Sequence, residues 1–286
     1  MSITKRILIA CIHYPVASGR YIAMALRRMG YDVRTTGPTT GNRIWGIEVD
    51  ARYTWKPDEP EEGWTPDLII TADSAYTIPD RPDWTCPHIL WGQDNHASDY
   101  RLREWDAMFL CHTWGARMNE PNAYWLPPCY DPSMCYDAGL TRDIDVTLIG
   151  YPYQERIELA EAFQAGGLKT HFGMGAVYDE YREIYNRTKI ALNWSHGDIT
   201  NRIFEAAAMG CCVLTNPCHD LDKMGLCPGV ELWTYIDTPG AIRSAQQLIE
   251  TGNWQKVAQA GRQAGAPHTW DNRAAFVLET MGAKSQ

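Results

Sequence analysis

Short apolar runs recur along this chain, each followed by a polar cluster and then by a segment with helical spacing. Arg6-Ile7-Leu8-Ile9-Ala10-Cys11 is the first run. It predicts a strand, followed by a helix from Arg20 to Met29 that Gly30 ends, and a second strand over Tyr31-Asp32-Val33-Arg34-Thr35. Asp67 to Thr71, His88 to Trp91 and Ala107 to Cys111 supply further strands. From Asp145 the logic repeats. A strand runs to Gly150, a helix from Gln154 to Ala165, a strand from Leu168 to Phe172, a helix from Tyr178 to Asn186, and a strand from Lys189 to Asn193. Ile203, Phe204, Ala207 and Ala208 mark the apolar face of a short helix closed by Gly210, and Cys211 to Thr215 restarts as a strand. Three helices follow, Ala241 to Ile249, Trp254 to Ala264 and Asp271 to Met281. Apolar strands alternating with helices predict parallel sheets with both faces covered, an α/β protein of two doubly wound domains. The proline-rich run Trp125 to Pro132 reads as an extended connector, which sets the domains at 1–141 and 142–286. Gly37 to Pro66, rich in Trp, Pro and acid, reads as a long insertion, either a lid, an acceptor surface or disorder.

The stretch Asn186 to Asn216 carries the densest chemistry. Asn193, Ser195, Asp198, Thr200, Asn201, Arg202 and Glu205 gather at the carboxyl end of a strand and the first turns of a helix. Open α/β sheets bind ligands at that place. The unpaired N–H groups of a helix start and the fixed charge of Arg202 suit a phosphate, and Glu205 can accept two hydroxyls, as a ribose or a sugar would ask. On the plainer reading Arg202 pairs with Asp198 and Glu205 is a solvated face residue.

The run N-R-I-F-E-A-A-A-M-G-C-C-V-L-T over Asn201 to Thr215 resembles the Arg-to-Glu-to-Gly block of the CgeB-like, spore-maturation type glycosyltransferases, relatives of the retaining group 1 superfamily. Asp145 to Gly150 followed by Arg156 is similar to the opening of that family's nucleotide-sugar domain, and His268-Thr269-Trp270 with Arg273 is similar to its last helix. The resemblance covers about residues 86 to 280. It implies the GT-B fold, two Rossmann-like domains facing each other across a cleft, with the last helix crossing back to the first domain. It also implies transfer of a sugar from a nucleotide diphosphate sugar to a hydroxyl acceptor, with retention, without metal, and with no cofactor beyond the donor. Arg156 and Arg202 are then the phosphate ligands, helped by the backbone of Thr200 and Asn201, with Glu205 on the ribose, Asn193 in the same cluster and Gly173 near the base. Many relatives carry a Glu-x7-Glu pair. Here Gly197 stands eight residues before Glu205, and Asp198 is expected to replace the missing Glu. On the acceptor side Trp91-Gly92-Gln93-Asp94-Asn95-His96 is similar to the family's strand-end segment, and Asp94, His112 and His96 are the candidates for handling the acceptor proton. His13 ends the first strand in the same way. The acceptor itself is left open: glycan, protein, small molecule or, as in phage-type relatives, a hydroxymethylated base in DNA. A catalytically degenerate nucleotide-sugar-binding or scaffold protein is the alternative, and the altered Glu pair is what such a protein would show.

Composition narrows the field. A net charge of -9 over 286 residues weighs against broad polyanion binding. No run is apolar for the length of a membrane span, and no signal-peptide core follows Met1, so a cytoplasmic protein is expected. The nine cysteines form no Cys-x-x-Cys pair and are expected to be reduced and largely buried. Asp143-Ile144-Asp145 has the spacing of a metal-bridging pair but reads as a turn entering a strand. The loop Ile12 to Gly19 lacks the G-x-G-x-x-G of a dinucleotide oxidoreductase. Arg20, Arg27, Arg28 and Arg34 read as a solvated helix face, and Asp58 to Glu62 as an exposed loop.

Overall fold

The computed structural model describes residues 5–73, 84–101 and 103–284, so the reading of Met1 to Thr4 lies outside it. The chain divides into two compact units, Met1–Pro127 with Trp270–Gln286, and Pro128–Thr269. This division falls earlier than 141/142. The segment after Pro128 belongs to the second unit because its backbone is bonded there: Tyr130 N–H donates to His268 O (3.0 Å), and Asn186 Nδ2 to Tyr136 O (3.0 Å).

In the first unit, β1 (Arg6–Ala10), α1 (Ser18–Arg28) and β2 (Asp32–Thr36) form the expected opening. A small hairpin, β3 (Arg43–Ile44) and β4 (Ile47–Glu48), precedes β5 (Leu68–Ala72), β6 (His88–Gly92), β7 (Ala107–Leu110) and β8 (Ala123–Trp125). The sheet order is β2-β1-β5-β6-β7-β8, all parallel. β5, β6 and β7 are buried along their whole length, which explains why they read as uninterrupted apolar runs. The insertion is held down by charge. Asp58 accepts from Arg27 (3.0 Å) and Arg34 (3.2 Å), and its backbone pairs with Thr35. Asp58 of the acidic run and Arg27 and Arg34 of the arginine face, all expected to be solvated, are therefore partners of one another. Exposed pairs of this kind contribute about 0–1 kcal/mol each, and their role here is to fix the path of the loop.

The second unit runs β9 (Ile144–Ile149), α2 (Gln154–Ala165), β10 (Thr170–Gly173), α3 (Tyr178–Asn186), β11 (Thr188–Asn193), α4 (Asn201–Ala208), β12 (Cys212–Thr215), β13 (Trp233–Thr234), α5 (Thr238–Glu250) and α6 (Asn253–Gly265). Its parallel sheet has the order β10-β9-β11-β12-β13. Val146, Leu148, Ile190, Leu192 and Leu214 from the strands pack with Phe163 of α2 and with α5 and α6. Gly210 adopts φ +77° directly after α4, the left-handed stop that its place in the sequence predicts. All nine cysteines are free; most are buried, and Cys227 is exposed.

The last helix, α7 (Trp270–Lys284), belongs to the first unit and packs on α1. Trp270 is 1% exposed, with its ring 5.8 Å from Tyr21 and 5.7 Å from Trp91. Arg28 grips Asp271 through two bonds (3.0 and 2.9 Å), and Arg273 donates to Pro127 O (2.9 Å). The Trp and Arg that stood out in the C-terminal motif thus anchor this helix to its unit.

Each sheet changes winding direction once. The chain moves from β1 out to β2 and returns to β5 on the other side; in the second unit it moves from β9 to β10 and returns to β11. Loops leaving the carboxyl ends at such a point diverge and open a crevice. Packing around the second sheet is tight. A Cβ on Gly261 of α6 would lie 2.3 Å from the carbonyl oxygen of Glu231, a backbone atom that cannot rotate aside. Gly261→Ala is expected to destabilise the protein by about 1–3 kcal/mol through overpacking, read as a lowered midpoint in urea. An unchanged midpoint would show that α6 can shift.

Candidate functional site

The crevice of the second unit is built around Gly150, the residue that follows β9. A Cβ placed on it would sit 2.5 Å from an Nη of Arg202 and 2.9 Å from an Nη of Arg156, so two guanidinium groups converge on the space that a side chain here would fill. Arg156, from the first turn of α2, is buried and donates to the carbonyl oxygens of Trp194 (3.2 and 2.7 Å) and Tyr151 (3.0 Å). Arg202, at the start of α4, donates to Ile149 O and to Asn193 Oδ1 (3.1 Å), and its Nε is buried without a partner. The two charges repel. Burial, and after it the nearness of Arg202, lower the Arg156 pKa to about 10. Arg202 moves the other way: burial works against its charge, but Tyr185, Tyr181 and Glu205 together outweigh it. Two cations and an unspent donor beside a helix start are an arrangement that an anion would complete.

Strand β11 sets this geometry. Asn193, its last residue, is fully buried. Its Oδ1 accepts from Arg202 and from the Thr200 hydroxyl (3.0 Å), while its Nδ2 donates to Thr215 Oγ1 (3.0 Å). Asn193 therefore orients Arg202 and Thr200, and its side chain is committed to them. Thr200 occupies the cap position of α4 without a side-chain cap, and its carbonyl takes the Ile203 N–H (3.2 Å). Asn201 spends its Oδ1 on Cys129 N–H (3.1 Å). Asp198 does not pair with Arg202; its carboxylate accepts His196 N–H (3.0 Å) inside the loop. Glu205, one turn into α4, accepts the Tyr181 hydroxyl (2.8 Å). Burial raises its pKa, against the pull of Tyr181 and Arg202. Beyond Arg156 a cavity of about 320 Å³ opens, lined by Gly150, Phe172, Gly173 and Met174 and by Ile157 and Ala160 of α2. Gly173 thus borders the same space as Arg156.

The acceptor-side candidates lie in the first unit, at the carboxyl ends of β6 and β7. Asp94 is exposed. His112 is 2% exposed, and Asn95 fixes its backbone through Oδ1 (2.8 Å) and Nδ2 (2.9 Å). The His96 ring meets the His112 ring edge-on at 4.7 Å, and both lie against Trp114. Asp94, His96 and His112 thus all lie at the carboxyl end of the sheet, where His96 and His112 touch. His13 is fully buried against Trp55 (4.1 Å), and burial lowers its pKa; it stands apart as a packing residue. Two groups escaped sequence reading. Tyr181 carries no signal beyond its place on α3. Asp73 follows β5 directly, and the strand-end rule that selected Asp94 would have selected it too.

A family model described as glycosyl transferase-like matches residues 134–279, half of the chain, and spans this site from Arg156 to Glu205. The chain belongs to that family. No curated protein matches its sequence. Among solved structures, an α-glucosyltransferase in complex with UDP-glucose and DNA containing an abasic site is similar at TM-score 0.69 and 10% identity, over 99% of this chain and 100% of that one. Sucrose-phosphate synthase from Thermosynechococcus elongatus is similar at TM-score 0.65 and 13% identity, over 96% and 98% of the two chains. A glycosyltransferase involved in avilamycin A biosynthesis follows at 0.59 and 14%, over 95% and 96%. The fold is GT-B, with two Rossmann-like α/β domains. Among the described residues of this glycosyl transferase-like chain no helix is long and apolar enough to cross a membrane.

The half-buried Glu205 has a thermodynamic signature. Its folded-state pKa lies above its unfolded value, so the folded state holds the proton more tightly and stability falls as pH rises from the ordinary carboxylate range through the raised value. Glu205→Gln, which cannot ionise here, is expected to lose less of its melting temperature across that window than the wild type does. Parallel melting curves against pH for the two proteins would refute the burial argument.

Proposed function

We propose that this member of the family transfers a sugar from a nucleotide diphosphate sugar to a hydroxyl acceptor, with retention and without a metal ion, as the CgeB-like subtype does. The convergence of Arg156 and Arg202 over Gly150, beside the uncapped start of α4, carries this reading. A leaving diphosphate needs fixed positive charge that is present before the reaction begins, and preorganised donors in a dry site supply it without reorganisation. In this reading the diphosphate lies against Arg202 and the first-turn N–H groups of Thr200 to Arg202, with Arg156 beside it. Glu205, steadied by Tyr181, takes the ribose hydroxyls, the base enters the cavity by Gly173 and Met174, and Asp198 meets the donor sugar. Asp94, His96 and His112 handle the acceptor. The resemblance to the α-glucosyltransferase solved with DNA supports a modified base in DNA as one acceptor class, and the net charge of -9 favours a glycan, protein or small molecule instead. No other cofactor is required, and a cytoplasmic location suits a nucleotide-sugar donor. The second reading, a degenerate nucleotide-sugar binder or scaffold, is favoured by one observation: Gly197 in place of the first Glu. Slow release of nucleoside diphosphate from the donor distinguishes an active site from a binder.

A thermal-shift panel of UDP-, GDP-, ADP- and TDP-sugars identifies the donor, since a ligand at a hundred times its dissociation constant adds about 2.7 kcal/mol of stability. With that donor, Arg202→Ala is expected to lose roughly 2–4 kcal/mol of transition-state stabilisation while remaining folded. Near-wild-type turnover in Arg202→Ala would sink the diphosphate assignment. EDTA is expected to leave turnover unchanged, because the two arginines take the place of a cation; a loss restored by a divalent metal would reverse that part of the proposal.

A further inference from the structure

The first unit has its own switch-point crevice, between β1 and β5, and the residue that closes β5 into it is Asp73. Its backbone is held at φ +40°, a left-handed conformation that a non-glycine residue adopts only under constraint. The constraint is visible. A single carboxylate oxygen, Asp73 Oδ1, gathers the backbone N–H of Gln93 (2.9 Å), the backbone N–H of Asp94 (3.2 Å) and the hydroxyl of Tyr100 (2.6 Å). The Tyr100 oxygen in turn accepts from Asp94 N–H (2.9 Å), and its ring packs on Gly92, where a Cβ would come within 2.8 Å. Asp73 N–H donates to Trp91 O (2.9 Å), closing the circle. Tyr100 itself stands at φ +50°. Three donors, one of them the phenol of the strained Tyr100, are thus arranged around the carboxylate of the strained Asp73, and what they hold in place is the turn that bears Asp94 and His96.

We propose that Asp73 is a positioning residue for the acceptor side: as the ionised carboxylate it ties down the Gln93–Asp94 turn, and through that turn it sets where Asp94 and His96 stand. The proposal rests on the reading of Asp94 and His96 as acceptor-handling groups. A neutral carboxyl accepts hydrogen bonds less strongly than a carboxylate, so protonation loosens the turn. The groups that face Asp73 are Tyr14 after β1, and Asp94, His96 and Tyr100 after β6. Burial raises the Asp73 pKa, against its three hydrogen bonds and the nearness of His96. The turn therefore tightens as pH rises through a window that begins above the ordinary carboxylate range, and acceptor transfer is gained over that window.

The test uses the full chain, isotope-labelled, with UDP as the nucleotide probe, UDP-glucose as donor and free glucose as the hydroxyl probe. In the wild type the amide proton shifts of Gln93 and Asp94 are expected to titrate together over that window. In Asp73→Asn, which keeps an accepting oxygen but cannot ionise, the titration vanishes. Where glucose accelerates nucleotide release by the wild type, Asp73→Asn loses the acid limb of that acceleration. Asp73→Ala loses roughly 100-fold in kcat/KM for glucose, the scale of a displacement of about 1 Å in a reacting group, while UDP binding stays within about twofold. Amide shifts that are flat in the wild type, or that titrate unchanged in Asp73→Asn, overturn the proposal, and this readout needs neither activity nor the alanine variant. An Asp73→Ala protein with wild-type kcat/KM for glucose overturns it as well. A wild type that binds no nucleotide sugar at all defeats the transferase reading instead, and leaves the amide titration to judge Asp73.

Discussion

Two like charges held side by side are costly, and the second unit is organised around holding them. Unit charges about 4 Å apart repel by roughly 4 kcal/mol at the effective dielectric of a protein surface. Arg156 and Arg202 converge on Gly150 nonetheless, because each is held by acceptors that come from strand ends: Trp194 O and Tyr151 O for one, Ile149 O and Asn193 Oδ1 for the other. Those acceptors exist only once β9 and β11 are paired and both have ended. The sheet therefore supplies the restraint, and the arginines carry the strain. Glu205 does not relieve it by a direct bond to either guanidinium; its carboxylate goes to Tyr181 instead. A cation pair with no carboxylate bonded directly to either guanidinium is prepared for an anion from outside.

The same topological rule acts in both units and yields opposite chemistry. Each parallel sheet reverses its winding once, and each reversal leaves divergent loops at the carboxyl ends of two adjacent strands. In the second unit that place holds guanidinium groups and a helix start; in the first it holds Asp73, with Tyr14 and Asp94 near it. Topology decides where the chemistry collects. Side-chain choice decides its sign.

How much of this was legible depends on how many residues share a signal. Helices α2 and α3 were placed to the residue, because a Gly pair after Ala165 and the apolar run from Lys189 mark their ends. The buried strands were found because both faces are covered and the apolar run is unbroken. β8 and β13 were missed: with three and two residues at sheet edges, neither builds a run that stands out, and their pairing is decided by tertiary context. The Arg202 cluster was visible because seven polar groups crowd one strand-to-helix loop. Their division of labour was not. Asn193 and Arg202 look alike as candidates in a sequence, and only burial shows that the first orients and the second is left with an unspent donor.

The ion pairs of the first unit carry the same lesson about local reading. Arg27 and Arg34 on one side and Asp58 on the other each read as solvent-facing, because most charges are. They meet because the insertion folds back across β2, and no local pattern encodes that return. Asp73 differs, since its signal was local: an Asp immediately after a buried strand, in the position that marked Asp94. What the sequence withheld was the convergence of Gln93, Asp94 and Tyr100 on a single oxygen. A strand end nominates a residue by geometry that recurs in every α/β fold. Whether that residue faces a ligand or braces its neighbours follows from the donors that reach it, and these come from loops distant in the chain.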